Sequence, residues 1–296
     1  MKKHILIVGT GGVGGYFGGH LAKAGHHVTF IARGDHLKAL KRNGLQVLSP
    51  DGSFGKKIKA QNTLPKGSFD LVILCLKAHQ KPAFLKHLKS VLAPQGVALS
   101  LQNGLDNAKL LQRYLGKQRV IPSFCILGAF VERPGVIRHV AAGKIVMGEH
   151  PQSRTWRKVF RAAHFKAEIS RHFNKDQWQK LIWNVAFNGP TAMLQLTVGK
   201  MLERPEYGQL VTNLIKEALM VAKSENVLLP KSLPRTLVAD AKKNLAGVFT
   251  SMAMDRQQGR PLEVDIFYGA ICQMAKKHRI AVPCHEMVHN LLSSLA

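Results

Sequence analysis

Acidic side chains are scarce in this chain: 17 Asp and Glu stand against 43 Lys and Arg, a formal charge of +26 over 296 residues. Such a balance invites a nucleic-acid partner, because neutralising phosphates needs a basic footprint. The pattern argues against one, since no block of five or more like charges and no basic–aromatic interleaving occurs. The excess is uneven, with 27 basic against 7 acidic residues through Ser170 and 16 against 10 after it. A basic cofactor-binding half facing a polyanionic dinucleotide accounts for this without nucleic acid. Cysteine is also sparse. Cys75, Cys125, Cys272 and Cys284 have no paired spacing, which excludes a disulfide framework and fits a reducing cytoplasm, with Cys75 buried in the strand LVILCL. Long apolar runs are missing too. None approaches the roughly 18 residues of a membrane helix, and the first apolar stretch is only Ile5–Val8, so neither a membrane span nor an export signal is expected. There is no repeat and no low-complexity tract. A hydrophobic content of 46% suffices for two cores in a chain of this length.

Glycine, by contrast, is concentrated where it is informative. The run His4–Val8 feeds into Gly9-Thr10-Gly11-Gly12-Val13-Gly14, followed by a helical pattern and a second apolar run, Val28–Ala32. In a strand–turn–helix context this spacing suits a dinucleotide. Gly9 permits the tight turn, Gly11 lets a pyrophosphate approach the backbone, and Gly14 lets helix and strand pack closely. The first helical turn supplies N–H groups and a positive dipole for the phosphates. A purely structural turn is the bland alternative. Past the second strand stands Arg33, and the only nearby acid, Asp35, comes after Gly34. A guanidinium there welcomes the 2′-phosphate of NADP, whereas a carboxylate would select NAD. The residue pattern therefore points to NADPH/NADP+, unless Arg33 is an ordinary solvated loop residue.

Short apolar runs alternate with helical stretches in the first part, as a doubly wound parallel sheet requires. Strands are expected at His4–Val8, Val28–Ala32, Leu71–Leu76 and Val97–Leu101, with a hairpin of Val136–Val140 and Lys144–Gly148 around Ala-Ala-Gly. Gly9, Arg33, Lys77 and Asn103 each follow the carboxyl end of a strand, the edge where open α/β sheets bind ligands. After about Ser170 the pattern is helical: roughly Lys175–Asn188, Pro205–Asn226, Arg235–Gln258, Leu262–His278 and Cys284–Leu295. Breaks are expected at Gly189-Pro190, Pro230, Gly259-Arg260-Pro261 and Pro283. These patterns predict a Rossmann-type domain over residues 1–170 and an all-α substrate and catalytic domain over 171–296.

In the stretch QWQKLIWNVAFNGPTAM, Lys180, Asn184 and Asn188 recur every fourth residue and so share one helix face. Apolar residues cover the other flanks, which encloses the row. Enclosure disfavours a lysine's charge and suits it to proton donation; the alternative is a lysine snorkelling to solvent. A second group joins Ser251 and Asp255 on one helix face, then Glu263 beyond the Gly259-Arg260-Pro261 break. Glu263 aligns with the apolar stripe Phe267, Ala270, Ile271 and Met274, although a first-turn glutamate complementing the helix dipole is the plainer reading. His285-Glu286-Met287-Val288-His289 matches a zinc-binding HExxH. Its third ligand would have to come from elsewhere, and a zinc protease has no use for the first domain, so no metal is assigned.

Together these residues resemble the ketopantoate reductases (2-dehydropantoate 2-reductases). The likeness covers nearly the whole chain, through GTGGVG, the LKAHQ block at Leu76–Gln80, QNG at Gln102–Gly104, KLIWNVAFN at Lys180–Asn188, SMAMDRQQGRPLEVD from Ser251, and IAVP at Ile280–Pro283. The resemblance implies NADPH-dependent reduction of ketopantoate to (R)-pantoate on the route to pantothenate and coenzyme A. It implies that Lys180 is the general acid, while Glu263 contacts the substrate hydroxyl and helps fix Lys180. Asn103, Asn184, Asn188 and Ser251 would position substrate, with Asp255 supporting that end of the pocket. Gly9, Thr10, Gly11, Gly12, Val13 and Gly14 would cradle the pyrophosphate, Arg33 and Lys77 hold the 2′-phosphate, and Gln80 lie beside the adenosine. Asn103 and Glu263 would also reach the cofactor. The expected partner is a small keto acid, with neither nucleic acid nor membrane, in a monomer or homodimer. Another NADP-dependent 2-oxoacid or 3-hydroxyacid dehydrogenase and a dinucleotide-sensing regulator remain alternatives.

Overall fold

Alternation of side chains along the first strand organises the amino-terminal half. In β1 (His4–Val8), Ile5 and Ile7 enter one buried cluster while Leu6 and Val8 enter another on the opposite face. A strand buried on both sides belongs inside a parallel sheet. The computed structural model describes residues 1–77 and 83–295. Contacts divide the chain into two units, Met1–Phe173 and Asn174–Ala296.

In the first unit the remaining strands are β2 (His27–Ile31), β3 (Leu45–Leu48), β4 (Phe54–Lys56), β5 (Lys59–Gln61), β6 (Phe69–Leu74), β7 (Leu92–Ser100), β8 (Ser123–Arg133), β9 (Val136–Met147) and β10 (Lys166–Ile169). A wholly parallel sheet runs β5-β2-β1-β6-β7, as a Rossmann-type core demands. A second sheet runs β10-β9-β3-β4, with β8 antiparallel to β9. Its helices are α1 (Gly12–Lys23), α2 (Gly34–Asn43), α3 (Leu88–Val91), α4 (Asn107–Leu115) and α5 (Ser153–Ala162).

Glycines let α1 lie unusually close to both sheets. A Cβ on Gly14 would fall 1.9 Å from the Gly9 carbonyl oxygen, and one on Gly12 would fall 2.2 Å from the Ala129 carbonyl oxygen of β8. Phe17 and Leu21 of the same helix are fully buried, each contributing about 1.5–3 kcal/mol.

The expected hairpin around Ala-Ala-Gly is instead one bulged strand, β9. Ala142 and Gly143 have φ of +61° and +125°, and pairing with β8 skips Gly143 as it passes from Lys144 to Ala142. A glycine between two apolar runs signals a bulge as well as a turn. The actual reversal lies at Pro134-Gly135, opposite a strand, β8, that carries no clear alternation.

The second unit is helical: α6 (Phe173–Leu194), α7 (Val198–Leu202), α8 (Pro205–Ser224), α9 (Leu233–Asn244), α10 (Ser251–Gln257), a π-helical turn at Asp265–Gly269 leading into α11 (Ala270–His278), and α12 (Pro283–Ser294). Buried Val211, Leu214, Ile215, Ala218 and Val221 make α8 the element against which α7, α9, α11 and α12 pack. Two expectations fail here. α6 continues through Gly189-Pro190, and the stretch Arg235–Gln258 is two helices, the second starting at Thr250, whose Oγ1 accepts from the Ala253 amide at 3.3 Å. No described helix is long and apolar enough to cross a membrane.

Candidate active site

The carboxyl edge of the parallel sheet is drawn together by short bonds between successive loops. Gly9 has φ of +96°, which suits glycine alone without strain. Its amide donates to the Ile31 carbonyl at the end of β2, as does the Thr10 hydroxyl at 2.9 Å. Thr10 is thus committed to the fold through its side chain. A Cβ on Gly9 would meet Leu76 and Cys75, while one on Gly11 would meet nothing within 4 Å. Gly11 is exposed, no side chain caps α1, and Val13 packs its side chain on the core. Gly11 therefore faces open space at a helix amino terminus, an arrangement suited to a pyrophosphate.

Arg33 is exposed at the amino end of α2, and nearby Asp35 is paired with Lys38 at 2.9 Å. Lys77 is half-buried three residues past β6, and Asn103 stands three residues past β7. Their loops are tied together, because the Gln102 side-chain amide donates to the Leu76 carbonyl at 2.9 Å and Asn107 donates to the Asn103 carbonyl at 2.7 Å. Gln80 lies outside the described residues. Cys75, one residue beyond β6 rather than within it, has its thiol pushed up in pKa by burial and by Cys125, which makes it a poor nucleophile.

In the second unit, Lys180, Asn184 and Asn188 all lie on α6, one turn apart. Asn184 and Asn188 are buried and Lys180 is half-buried. Neither amide atom of Asn188 finds a hydrogen-bond partner among the described residues. An unpaired buried amide costs about 1–3 kcal/mol, which singles out this group as one that calls for an explanation. Three contacts stitch the carboxyl half of α6 to the other candidate segments. Thr191 shares a hydroxyl–hydroxyl bond of 2.8 Å with Thr250, beside Ser251. Arg256 donates to the Ala192 and Met193 carbonyls. Tyr268, in the turn that follows Glu263, bonds the backbone at Val185 and Gly189.

Ser251 is exposed and Asp255 buried, although they share α10. Asp255 accepts from Nε and Nη2 of Arg260 at 2.8 Å each, and its carbonyl accepts from the Arg260 amide. It braces the bend that leads to Glu263, which is 9% exposed. Tyr268 escaped the sequence reading. The signal was a Gly-Pro inside a helical pattern, since a helix that continues through proline needs a partner for its freed backbone groups.

The HExxH residues serve the fold. His285 is fully buried, with Nδ1 2.7 Å from Glu217, while His289 pairs with Asp265 at 3.1 Å. Burial opposes charge on Glu217, yet bonds from His285 and from the Cys284 and His285 amides outweigh it and hold the carboxyl below its ordinary pKa. No group of three or more metal-ligating side chains occurs among the described residues.

Basic residues scattered in sequence are gathered by the fold. A groove of about 440 Å³ at the opposite, amino-terminal edge of the parallel sheet is lined by His4, His26, His27, Lys56, Lys57, Lys59 and Lys66. Four lysines of the first unit therefore lie at the edge opposite the glycine loop.

Residues 5–152 match the family model described as Ketopantoate reductase PanE/ApbA, and residues 172–296 match its C-terminal counterpart. The chain belongs to the ketopantoate reductase family. It is 29% identical over 306 residues to a 2-dehydropantoate 2-reductase of Nostoc sp., covering 99% of this chain and 95% of that one. The structure of 2-dehydropantoate 2-reductase from Geobacter metallireducens matches with a TM-score of 0.92 at 29% identity, covering 99% and 100%. A D-mandelate dehydrogenase solved with NADH and anilino(oxo)acetate shares the fold at a TM-score of 0.90 and 21% identity, covering 99% and 98%. The chain is accordingly an oxidoreductase of this family.

Proposed function

We propose that this chain reduces 2-dehydropantoate to pantoate with NADPH, as part of pantothenate and coenzyme A synthesis. The observation that carries the reading is the largely buried polar row of α6, in which both amide atoms of Asn188 lack a partner among the described residues. The first unit, Met1–Phe173, is the dinucleotide-binding domain, and Asn174–Ala296 supplies substrate and catalytic residues. The open backbone at Gly11, the turn at Gly9 and the close approach at Gly14 fit a pyrophosphate. Gly12, Val13 and the Thr10 backbone complete that cradle. Arg33 and Lys77 take the 2′-phosphate through charge-assisted bonds, with Gln80 beside the adenosine.

The bound nicotinamide supplies a hydride. Lys180 holds the proton that the keto oxygen takes up as the carbonyl is reduced, a general-acid role aided by its half-buried position. Glu263 accepts from the substrate hydroxyl and orients Lys180 while reaching the cofactor. Asn184, Asn188 and Ser251 donate to or accept from the keto acid, Asn103 contacts substrate and cofactor, and Asp255 keeps the preceding bend in place. The test is NADPH oxidation with 2-dehydropantoate beside a panel of 2-oxo acids that includes aryl 2-oxo acids. Preference for 2-dehydropantoate by kcat/KM supports the reading; equal or better turnover of another 2-oxo acid replaces its substrate.

A further inference from the structure

α6 (Phe173–Leu194) is held in an unusual way where its candidate substrate residue sits. Pro190 has no N–H to offer the Ala186 carbonyl. One position earlier, the Gly189 amide donates to the Tyr268 hydroxyl at 2.8 Å, and that hydroxyl donates to the Val185 carbonyl at 2.5 Å. A fully buried phenol thus joins the donor and the acceptor of one helical rung. Only glycine admits it, because a Cβ at position 189 would lie 2.3 Å from the phenol oxygen. Burial raises the phenol's pKa, which keeps the hydroxyl protonated as a donor at neutral pH. On the other side, the Thr191 hydroxyl lies within bonding distance of the Phe187 carbonyl at 2.7 Å and the Asn188 carbonyl at 3.2 Å. The main chain around Asn188 is therefore pinned from both directions, yet its 1%-exposed carboxamide has no partner among the described residues.

We propose that Tyr268 is a positioning residue for Asn188. By bonding both ends of the Val185–Gly189 rung, it holds this turn so that the carboxamide stays aimed at the bound keto acid. Without it the turn relaxes towards self-satisfied helix geometry. Tyr268 also stands on the π-helical turn that starts two residues after Glu263, and π turns recur at functional positions. One hydroxyl thereby ties the Glu263 segment to the Lys180–Asn188 row. The inference rests on the proposed role of Asn188 as a substrate contact.

Tyr268→Phe keeps the ring and removes the hydroxyl. The expected result is a roughly tenfold rise in KM for 2-dehydropantoate, equivalent to one lost hydrogen bond, with the Kd of NADPH measured without keto acid unchanged. In an Asn188→Ala background the same change has little further effect, since its route is gone. Thr191→Val, which loosens the turn from its other side, raises KM in the same direction, and Thr191→Ser restores it; this pair stands in should Tyr268→Phe fold poorly. An unchanged KM in both Tyr268→Phe and Thr191→Val, or penalties that multiply in the Asn188→Ala background, overturns the inference. Wild-type protein separates the two failures. If it does not oxidise NADPH with 2-dehydropantoate, the substrate reading falls, and with it the partner assigned to Asn188.

Discussion

Lys180 and Glu263 carry opposite demands at the residue scale. The general-acid role proposed for Lys180 asks for a position near a low-dielectric pocket, and the residue is half-buried on α6. Lys180→Ala is expected to lower kcat by about 10²–10⁴-fold, the usual scale of general-acid catalysis, with NADPH affinity unchanged in a fluorescence titration. Loss of cofactor affinity with kcat intact would make it a binding residue instead. Glu263 is 9% exposed, which weighs against a mere helix-dipole role, because such glutamates work from the surface. Glu263→Ala should raise KM for the keto acid and also lower kcat, with Glu263→Gln milder because an amide oxygen still accepts a bond. The dipole-only view expects normal kinetics and a stability loss of about 0.3–1 kcal/mol. A thermal midpoint and both kinetic constants on the alanine variant decide between them.

At the scale of elements, α1 shows how adjacent glycines divide labour. Gly11 opens outward with extended-side backbone, φ −74°, whereas Gly12 is pressed on the Ala129 carbonyl. Gly11→Ala should leave the melting temperature near wild type and weaken NADPH binding at least tenfold, because the new methyl group stands where the pyrophosphate must approach. Gly12→Ala meets backbone, which has little room to yield, and should destabilise the first unit by about 1–3 kcal/mol. Calorimetry of the two variants, followed by NADPH titration of the stable one, separates these effects. A stable Gly12→Ala would mean that α1 can shift away from β8. Unlike either glycine, Thr10 acts as a clasp, its hydroxyl spent on Ile31.

Charge dominates at the scale of the whole molecule. With 43 basic against 17 acidic residues, a phosphorylated cofactor meets a favourable field. NADPH should be preferred over NADH, with Arg33→Ala and Lys77→Ala each costing about 1.5–3 kcal/mol in NADPH binding and little in NADH binding. Equal kcat/KM for both cofactors in the unmutated enzyme would falsify the 2′-phosphate assignment. Histidines shape the response to acid. His20 packs against Tyr16, Phe54 and Phe165, and its pKa is lowered to about 4 by burial first and then by Lys23, His139 and His164, against a backbone bond to Ala163. The unfolded chain binds this proton near 6.5 and the folded chain only near 4. Stability from a neutral His20 is therefore complete above pH 6.5 and lost as pH falls towards 4. Melting curves across that window should fall steeply for wild type and less steeply for His20→Phe.

Features that depend on neighbours in the chain can be read from the residues alone. The glycine loop, the doubly buried β1, the position of Arg33 past β2 and the fourfold row on α6 are local patterns, since strand alternation and helical period are properties of the backbone. Tertiary structure decided the rest. Whether Ala-Ala-Gly turned or bulged depended on β8, whose pairing crosses the sheet. Whether Gly189-Pro190 ended α6 depended on Tyr268, 79 residues along the chain from its bonding partner Gly189. Asp255 became a brace only once Arg260 folded back on it, and His285 a buried partner of Glu217 only once α12 met α8. The gathering of His4, His26, His27, Lys56, Lys57, Lys59 and Lys66 into one groove followed from the parallel sheet, which aligns the starts of separate strands. Hydrogen bonds and burial between distant segments leave no periodic trace in the sequence, which is why these outcomes needed the fold.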